Sequence, residues 1–205
     1  MNDKAPILSA CDISYSTADG RVLGEHIKVE LNKGEILLIT GPNGSGKTTL
    51  LNILLGKLAP NTGSVQLKLP ASRIGYLPQL QDSEMHMPVS LRDIINIAFK
   101  QKLSDDEISA FGLLTQKHLS LNWNRASGGE KRRTLLTRTF LQKPELLILD
   151  EPFNHLDSNS RTVITTAIHD FLTTQNKSVI LSTHEGFESY AKKDFSDVPY
   201  KRIAL

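Results

Sequence analysis

"EILLITGPNGSGKTTLLNILLGKL", Glu35 to Leu58, is the stretch on which the reading of this chain turns. Its first six residues form a short apolar run, the pattern of a strand buried in a parallel sheet. Gly41 to Thr48 then fits G-x-x-x-x-G-K-[ST], and an apolar-periodic helix follows, ending near Gly56 or Leu58. Strand, glycine loop and helix, in that order, are the context in which this motif binds phosphate. Gly41, Gly44 and Gly46 let backbone N–H groups turn inward around phosphate oxygens. Pro42, Asn43 and Ser45 complete the loop. Lys47 is expected at the β- and γ-phosphates, Thr48 as a ligand of Mg2+, and Thr49 as a further hydroxyl contact. The ligand implied is a nucleoside triphosphate with Mg2+. The loop does not say what its hydrolysis drives.

Further along, "LLILDEP" (Leu146 to Pro152) sets two carboxylates at the end of an apolar strand. Asp150 is expected to hold Mg2+, directly or through water. Glu151 becomes the candidate general base for an attacking water, and Pro152 ends the strand. Between these two pieces lies a second glycine turn, "RASGGEKRRTLLTR" (Arg125 to Arg138). Ser127, Gly128 and Gly129 open a helix whose N-terminus suits a phosphate. One chain with one nucleotide has no need of two such turns.

Outward from these motifs, the composition is that of an ordinary globular protein. Hydrophobic residues make up 39% of 205, charged residues 22%, and the net charge is +2. That charge argues no case for nucleic acid. Lys131, Arg132, Arg133 and Arg138 read as a solvated or interfacial helix face. The single cysteine, Cys11, excludes an internal disulfide and an all-cysteine metal site, and reads as a small core residue. No signal peptide or membrane-length apolar run is seen, so a cytosolic chain is expected, with any pore supplied by another protein.

Strand candidates with alternating apolar residues precede the glycine loop (Ile27, Val29, Leu31) and follow it (Val65, Leu67, Leu69), and "RIGYL" adds another. From Ser90 to about Leu121 the pattern is helical, with Leu91, Ile94, Ile95 and Ala98 on one face. Ser104 and Glu107 form a capping-box pattern there. Then "ELLILD", a helix after Asp157, "SVILST", a short helix and "YKRIAL" alternate, which implies a parallel sheet with helices packed on it.

Taken in order, these motifs resemble the ATP-binding cassette (ABC) ATPases over nearly the whole chain. Tyr15 lies near where that family carries an aromatic that stacks on adenine. Gly41–Thr48 resembles Walker A, Gln79 in "YLPQ" the Q-loop glutamine, and "ASGGE" (Ala126 to Glu130) the signature motif. "LLILDEP" resembles Walker B, "NHLD" (Asn154 to Asp157) the D-loop, and His184 in "LSTHE" the switch histidine. The resemblance implies an α/β fold: a P-loop NTPase core with a mostly parallel sheet, a small antiparallel β-lobe and an inserted helical lobe. It implies a single ATPase domain over residues 1–205, with a helical subdomain at about 80–127. It also implies roles. Gln79 would contact Mg2+ or the lytic water, His184 the γ-phosphate, and Asp157 the Walker A region of a second ATPase subunit. Ser127, Gly128, Gly129 and Glu130 would complete that other subunit's ATP site, with a homodimer expected.

Departures from the family pattern carry expectations of their own. Ala126 stands where the signature usually begins with leucine, which predicts weaker local packing. The short interval between Lys47 and Gln79 predicts a trimmed β-lobe, and the short tail after His184 leaves no room for a C-terminal regulatory domain.

Among ABC functions, the resemblance fits best the ATPase subunit of a membrane transporter, peripheral on the cytoplasmic face beneath an integral-membrane permease. DNA-repair and chromosome-organising relatives separate their motif halves with coiled coils or zinc modules, for which this chain has no room, so no direct nucleic-acid contact is expected. Translation factors that share the "NHLD" spelling usually carry two cassettes in one chain. "MHMPVSLRDIINIA" (Met85 to Ala98) resembles the segment after the Q-loop in metal-ion importer ATPases, and the compact length resembles the haem-exporter ATPase. Met85, His86 and Met87 read as a loop facing the permease, not as a metal site.

Overall fold

The computed structural model describes residues 5–79, 88–154, 156–184, 195 and 197–205. Met85, His86, Met87, the start of the expected helical subdomain, position 155 of the "NHLD" segment and the short helix expected after "SVILST" lie outside the described residues. The described elements run β1 (Leu8–Ser16), β2 (Val22–Leu31), β3 (Ile36–Thr40), α1 (Lys47–Leu54), β4 (Thr62–Leu67), β5 (Ile74–Leu77), α2 (Leu91–Asn96), α3 (Asp105–Ser109), α4 (Gln116–Leu119), α5 (Gly128–Leu141), β6 (Leu146–Asp150), α6 (Ser158–Thr173), β7 (Ser178–Thr183) and β8 (Tyr200–Ala204).

Strands β5, β6, β7, β3 and β8 form one sheet in that order, with every neighbouring pair parallel. Every residue of β3, β6 and β7 is buried. Helices cover both faces, so these strands read as continuous apolar runs. Alternate residues feed two cores. Leu37, Ile39, Leu146, Ile148 and Ile180 pack with Leu50, Leu51 and Leu54 of α1. Leu38, Leu147, Leu149, Val179 and Leu181 pack with Leu136 and Phe140 of α5 and Ile164, Ile168 and Phe171 of α6. Truncating one of these side chains, Leu149→Ala for example, would cost about 2–5 kcal/mol.

Register brings the strand ends together. Thr40 pairs with Thr183, Asp150 with Ser182, and Leu77 with Leu149. Gly41, Pro78, Glu151 and His184, which follow these strands, therefore stand at one end of the sheet. The carboxyl end of a parallel sheet is where such folds bind ligands. Because β7 lies between β3 and β6, His184 emerges between the glycine loop and the acidic strand end.

The second sheet is antiparallel, in the order β2, β1, β4. Its β1 buries Leu8, Ala10, Ile13 and Tyr15. The pairing shifts between Ala10 and Ile13, where Asp12 has φ +54°. Cys11 is exposed, which corrects its reading as a core residue: Leu8 and Ala10 face inward, so alternation turns Cys11 outward, and the bulge after it moves Ile13 and Tyr15 to the inner face.

In the helical region, the capping box of Ser104 and Glu107 opens α3 as expected. Helix α2 is shorter than its apolar pattern predicts, ending at Asn96, so Ala98 lies beyond it and is half-buried. Ala126 is buried against Leu91, Ile94 and Trp123. Among the described residues no helix is long and apolar enough to cross a membrane.

Candidate active site

Gly46 caps α1 in the left-handed region, φ +99°. A Cβ there would also stand 2.9 Å from Leu23 Cβ and 3.2 Å from the Tyr15 ring. Both conformation and space therefore require glycine. Beside this turn lies a cavity of about 340 Å3. Asn43, Gly44, Gly46, Lys47, Thr48 and Thr49 line it from the loop and helix, Thr17 and Leu23 from the antiparallel sheet, and Gln79 and Glu151 from the strand ends. Ser45 Oγ is buried in the loop with no hydrogen-bond partner among the described residues.

Residues about 100 positions apart meet here. Thr48 Oγ1 donates to Asp150 Oδ2 at 2.7 Å. Ser182 Oγ donates to Asp150 Oδ1. Asp150 is fully buried, so these hydroxyls offset part of the cost of taking a carboxylate out of water. A hydroxyl and a carboxylate side by side are hard oxygen donors of the kind Mg2+ selects, alongside phosphate oxygens.

Glu151 follows with φ +50°, unusual for a residue with a Cβ and worth about 1–2 kcal/mol of strain. The chain is held in that turn in part by the Glu151 N–H donating to Ser182 Oγ at 3.0 Å. The Glu151 side chain is 6% exposed and ringed by polar groups. Lys47 Nζ lies 3.2 Å from Oε1. Asn154 Nδ2 donates to Oε2 at 2.7 Å and Gln79 Nε2 at 3.3 Å, and His184 Nε2 lies 3.6 Å away. Lys47 also donates to the carbonyls of Gly41 and Pro42, each at 2.9 Å.

Other expected site residues stand elsewhere. Ser127 caps α5 in a reciprocal box with Glu130: the Glu130 N–H donates to Ser127 Oγ at 3.2 Å, and the Ser127 N–H to Glu130 Oε2 at 2.7 Å. Ser127 and Gly128 are exposed, and neither they nor Gly129 line the cavity. Asp157 caps α6, accepting from the Ser160 N–H at 2.8 Å, and lies 3.4 Å from Arg133 Nη1, largely exposed.

Two expectations need correction. Tyr15 is 3% exposed, with its hydroxyl donating to Gly46 O at 3.3 Å. Its ring underlies the glycine loop and presents no open face to a base, because the inward-facing positions of β1 include residue 15; burial also raises its phenol pKa. Arg132, read as part of a solvated face, is 3% exposed, and its guanidinium is occupied by main-chain carbonyls. Asn154, Ser182 and Arg132 were not expected near the reacting groups. Only Asn154 had a sequence signal, its place three residues after Glu151.

The family profile described as ABC transporter matches residues 25–154. Among curated relatives, the zinc import ATP-binding protein ZnuC of Psychrobacter arcticus is 37% identical over 164 residues, covering 77% of this chain and 65% of the relative. The protein of the same name from Vibrio parahaemolyticus is 35% identical over 177 residues, covering 86% and 66%. The chain thus spans slightly under two thirds of the length of these relatives. Among solved structures, a chain of an inward-facing ABC transporter, assigned to the metal-chelate type, superposes with TM-score 0.76 at 26% identity, covering 98% of this chain and 80% of that one. A dimeric bacterial ABC transporter cassette gives TM-score 0.77 at 18% identity, covering 96% and 94%, a likeness of fold.

Proposed function

Because this chain belongs to the ABC transporter family, we propose that it is the ATP-hydrolysing subunit of a membrane transporter, coupled to a separate integral-membrane permease. The observation that carries this reading is the meeting of Lys47, Thr48, Gln79 and Glu151 in one cavity, with Asp150 bonded to Thr48. We read residues 1–205 as one ATPase domain with a helical subdomain at about 80–127.

In this reading Gly41 to Thr49 cradle the triphosphate, and Lys47 exchanges the Glu151 carboxylate for β- and γ-phosphate oxygens. Thr48 and Asp150 would hold Mg2+, with Gln79 at the metal or the attacking water; when bound, the ion would supply positive charge beside the phosphate oxygens. Glu151 orients that water and takes its proton as the water oxygen attacks the γ-phosphorus. The bond from that phosphorus to the bridging oxygen breaks, and ADP leaves with the electron pair. His184 donates to the γ-phosphate, where charge gathers.

The exposure of Ser127, Gly128 and Asp157 supports a head-to-tail pair of subunits, with a second copy of this chain as the expected partner. Ser127, Gly128, Gly129 and Glu130 of one subunit would close on the nucleotide of the other. Asp157 would reach the opposing Walker A region. Closing and reopening would move the helical subdomain, and through it a permease at the cytoplasmic face of the membrane. The names of the curated relatives support a divalent metal ion, zinc in the first instance, as cargo, and import as the direction.

The test is phosphate release by the purified chain with ATP and Mg2+, and zinc uptake by cells making it with its membrane partner. Turnover that survives Lys47→Ala would overturn the hydrolysis reading. Uptake indifferent to that substitution would overturn the cargo.

A further inference from the structure

Arg132 is the third of three consecutive positions, Glu130 to Arg132, that follow the signature glycines, yet its side chain is turned into the protein. A buried guanidinium is costly unless its five N–H donors find acceptors. The acceptors here are carbonyls from two strand ends. Nη1 donates to Pro78 O at 2.9 Å. Nη2 donates to Asp150 O at 2.5 Å and Glu151 O at 2.6 Å, and Nε to Pro152 O at 3.4 Å.

These four carbonyls have particular owners. Pro78 O belongs to the peptide group whose N–H is that of Gln79. Asp150, Glu151 and Pro152 are the three residues through which the chain turns out of β6, with Glu151 at φ +50°. One side chain thus grips the main chain beside both Gln79 and Glu151, whose own side chains meet at 3.3 Å. It does so from α5, whose cap is Ser127.

We infer that Arg132 is a positioning residue, which locks the Glu151 turn and the base of Gln79 to the helix that begins at Ser127. The inference rests on the hydrolysis reading above and gives one physical route by which docking at Ser127 reaches Glu151. The fork of donors is what matters. A lysine ammonium carries the same charge but is a point with three donors and cannot span two strand ends. A glutamine amide keeps two donors, but both sit on one nitrogen, so it cannot span them either.

The experiment compares Arg132→Met, Arg132→Lys and Arg132→Gln with the wild-type chain, measuring kcat and KM for MgATP, the Kd of a fluorescent ATP analogue, and the thermal midpoint. Arg132→Met should lower kcat by about a hundredfold, the scale set by misplacing a reacting group by an ångström. KM and Kd should stay within about threefold, the mark of a loss confined to the reacting step. Arg132→Lys and Arg132→Gln should each fall at least about tenfold short of wild-type turnover, since neither side chain carries the fork. Because glutamine removes a buried charge and leaves amide donors in its place, that variant is expected to fold even where methionine does not. In a Glu151→Gln background, Arg132→Met should add no further loss.

Wild-type turnover in Arg132→Lys or Arg132→Gln, an unchanged kcat in Arg132→Met, or a loss that multiplies that of Glu151→Gln would each overturn the inference. A wild-type chain without turnover would instead overturn the hydrolysis reading, and the inference with it.

Discussion

Lys47 Nζ lies 3.2 Å from Glu151 Oε1, and the two side chains are 5% and 6% exposed. The cation assigned to phosphate and the carboxylate assigned to water are thus paired with each other. In the proposed reading, a triphosphate entering the cavity would replace the carboxylate as the partner of Lys47. That exchange would free Glu151 to face the γ-phosphate once a nucleotide is bound.

The first prediction follows from that exchange. Glu151→Gln removes the competing anion while leaving a side chain of the same shape. Nucleotide affinity should rise or hold, and turnover should fall by about 10²–10⁴, the usual contribution of a general base. Equilibrium binding of a fluorescent ATP analogue and single-turnover hydrolysis read the two effects. Unchanged turnover would remove Glu151 from the base role.

Tyr15 yields a second prediction. If its ring holds the floor of the glycine loop, Tyr15→Ala should cost roughly 3–5 kcal/mol of stability, as large aromatic truncations do. Tyr15→Phe should lose no more than about 1–1.5 kcal/mol, the worth of one hydrogen bond. Urea unfolding separates them. An adenine-stacking role would give the opposite pattern: weakened nucleotide binding in Tyr15→Ala with stability intact.

What could be read from the sequence, and what could not, follows the range of the interactions. The strand–loop–helix at Glu35 to Leu54 was legible because glycine spacing, strand burial and helix periodicity are local. So was the cap at Ser104, where acceptor and donor are three residues apart. Tyr15 was misread because distance along the chain to the loop says nothing of which face of β1 it occupies. Arg132 sits between Lys131 and Arg133 and looks like its neighbours. Its acceptors come from residues 78 and 150–152, which only the tertiary fold brings together. Cys11 was misplaced because the bulge after it changes which alternate positions of β1 face inward, so Ile13 and Tyr15 do not share a face with it.

A third prediction concerns pH. The Ser127 N–H, donating to Glu130, holds that carboxyl below its ordinary range against the opposing effect of burial, with the Ser127 hydroxyl adding to the lowering. A depressed carboxyl stabilises the fold above its unfolded pKa, near 4.5, and that contribution is lost as pH falls through the lower folded value. Glu130→Ala should therefore lower the thermal midpoint at pH 7 by about 2–4 °C, the equivalent of about 1 kcal/mol at this size. The gap from the wild-type midpoint should hold down to about pH 5 and narrow only below 4.5. Scanning calorimetry across that range gives the answer; a constant gap at every pH would show that the ionised box contributes nothing.

The last prediction tests whether the second glycine turn serves another subunit. Neither Ser127 nor Gly128 lines the cavity beside Lys47, and both are exposed. In a head-to-tail pair, each site takes Lys47 from one subunit and Ser127 from the other. Chains defective at Lys47 (Lys47→Ala) and chains defective at Ser127 (Ser127→Arg) should each be inactive alone. Mixed one to one, half the dimers carry both defects in one site and leave the other site whole. If each site turns over independently, the mixture should regain roughly a quarter of wild-type activity. Two sites built within single chains would regain nothing, since every chain in the mixture is damaged. Quantifying the mixed dimer by differential tagging makes the comparison decisive: activity that tracks the mixed fraction requires a site shared between subunits, and its complete absence in verified mixed dimers with independent sites would return Ser127 to the role of a helix cap.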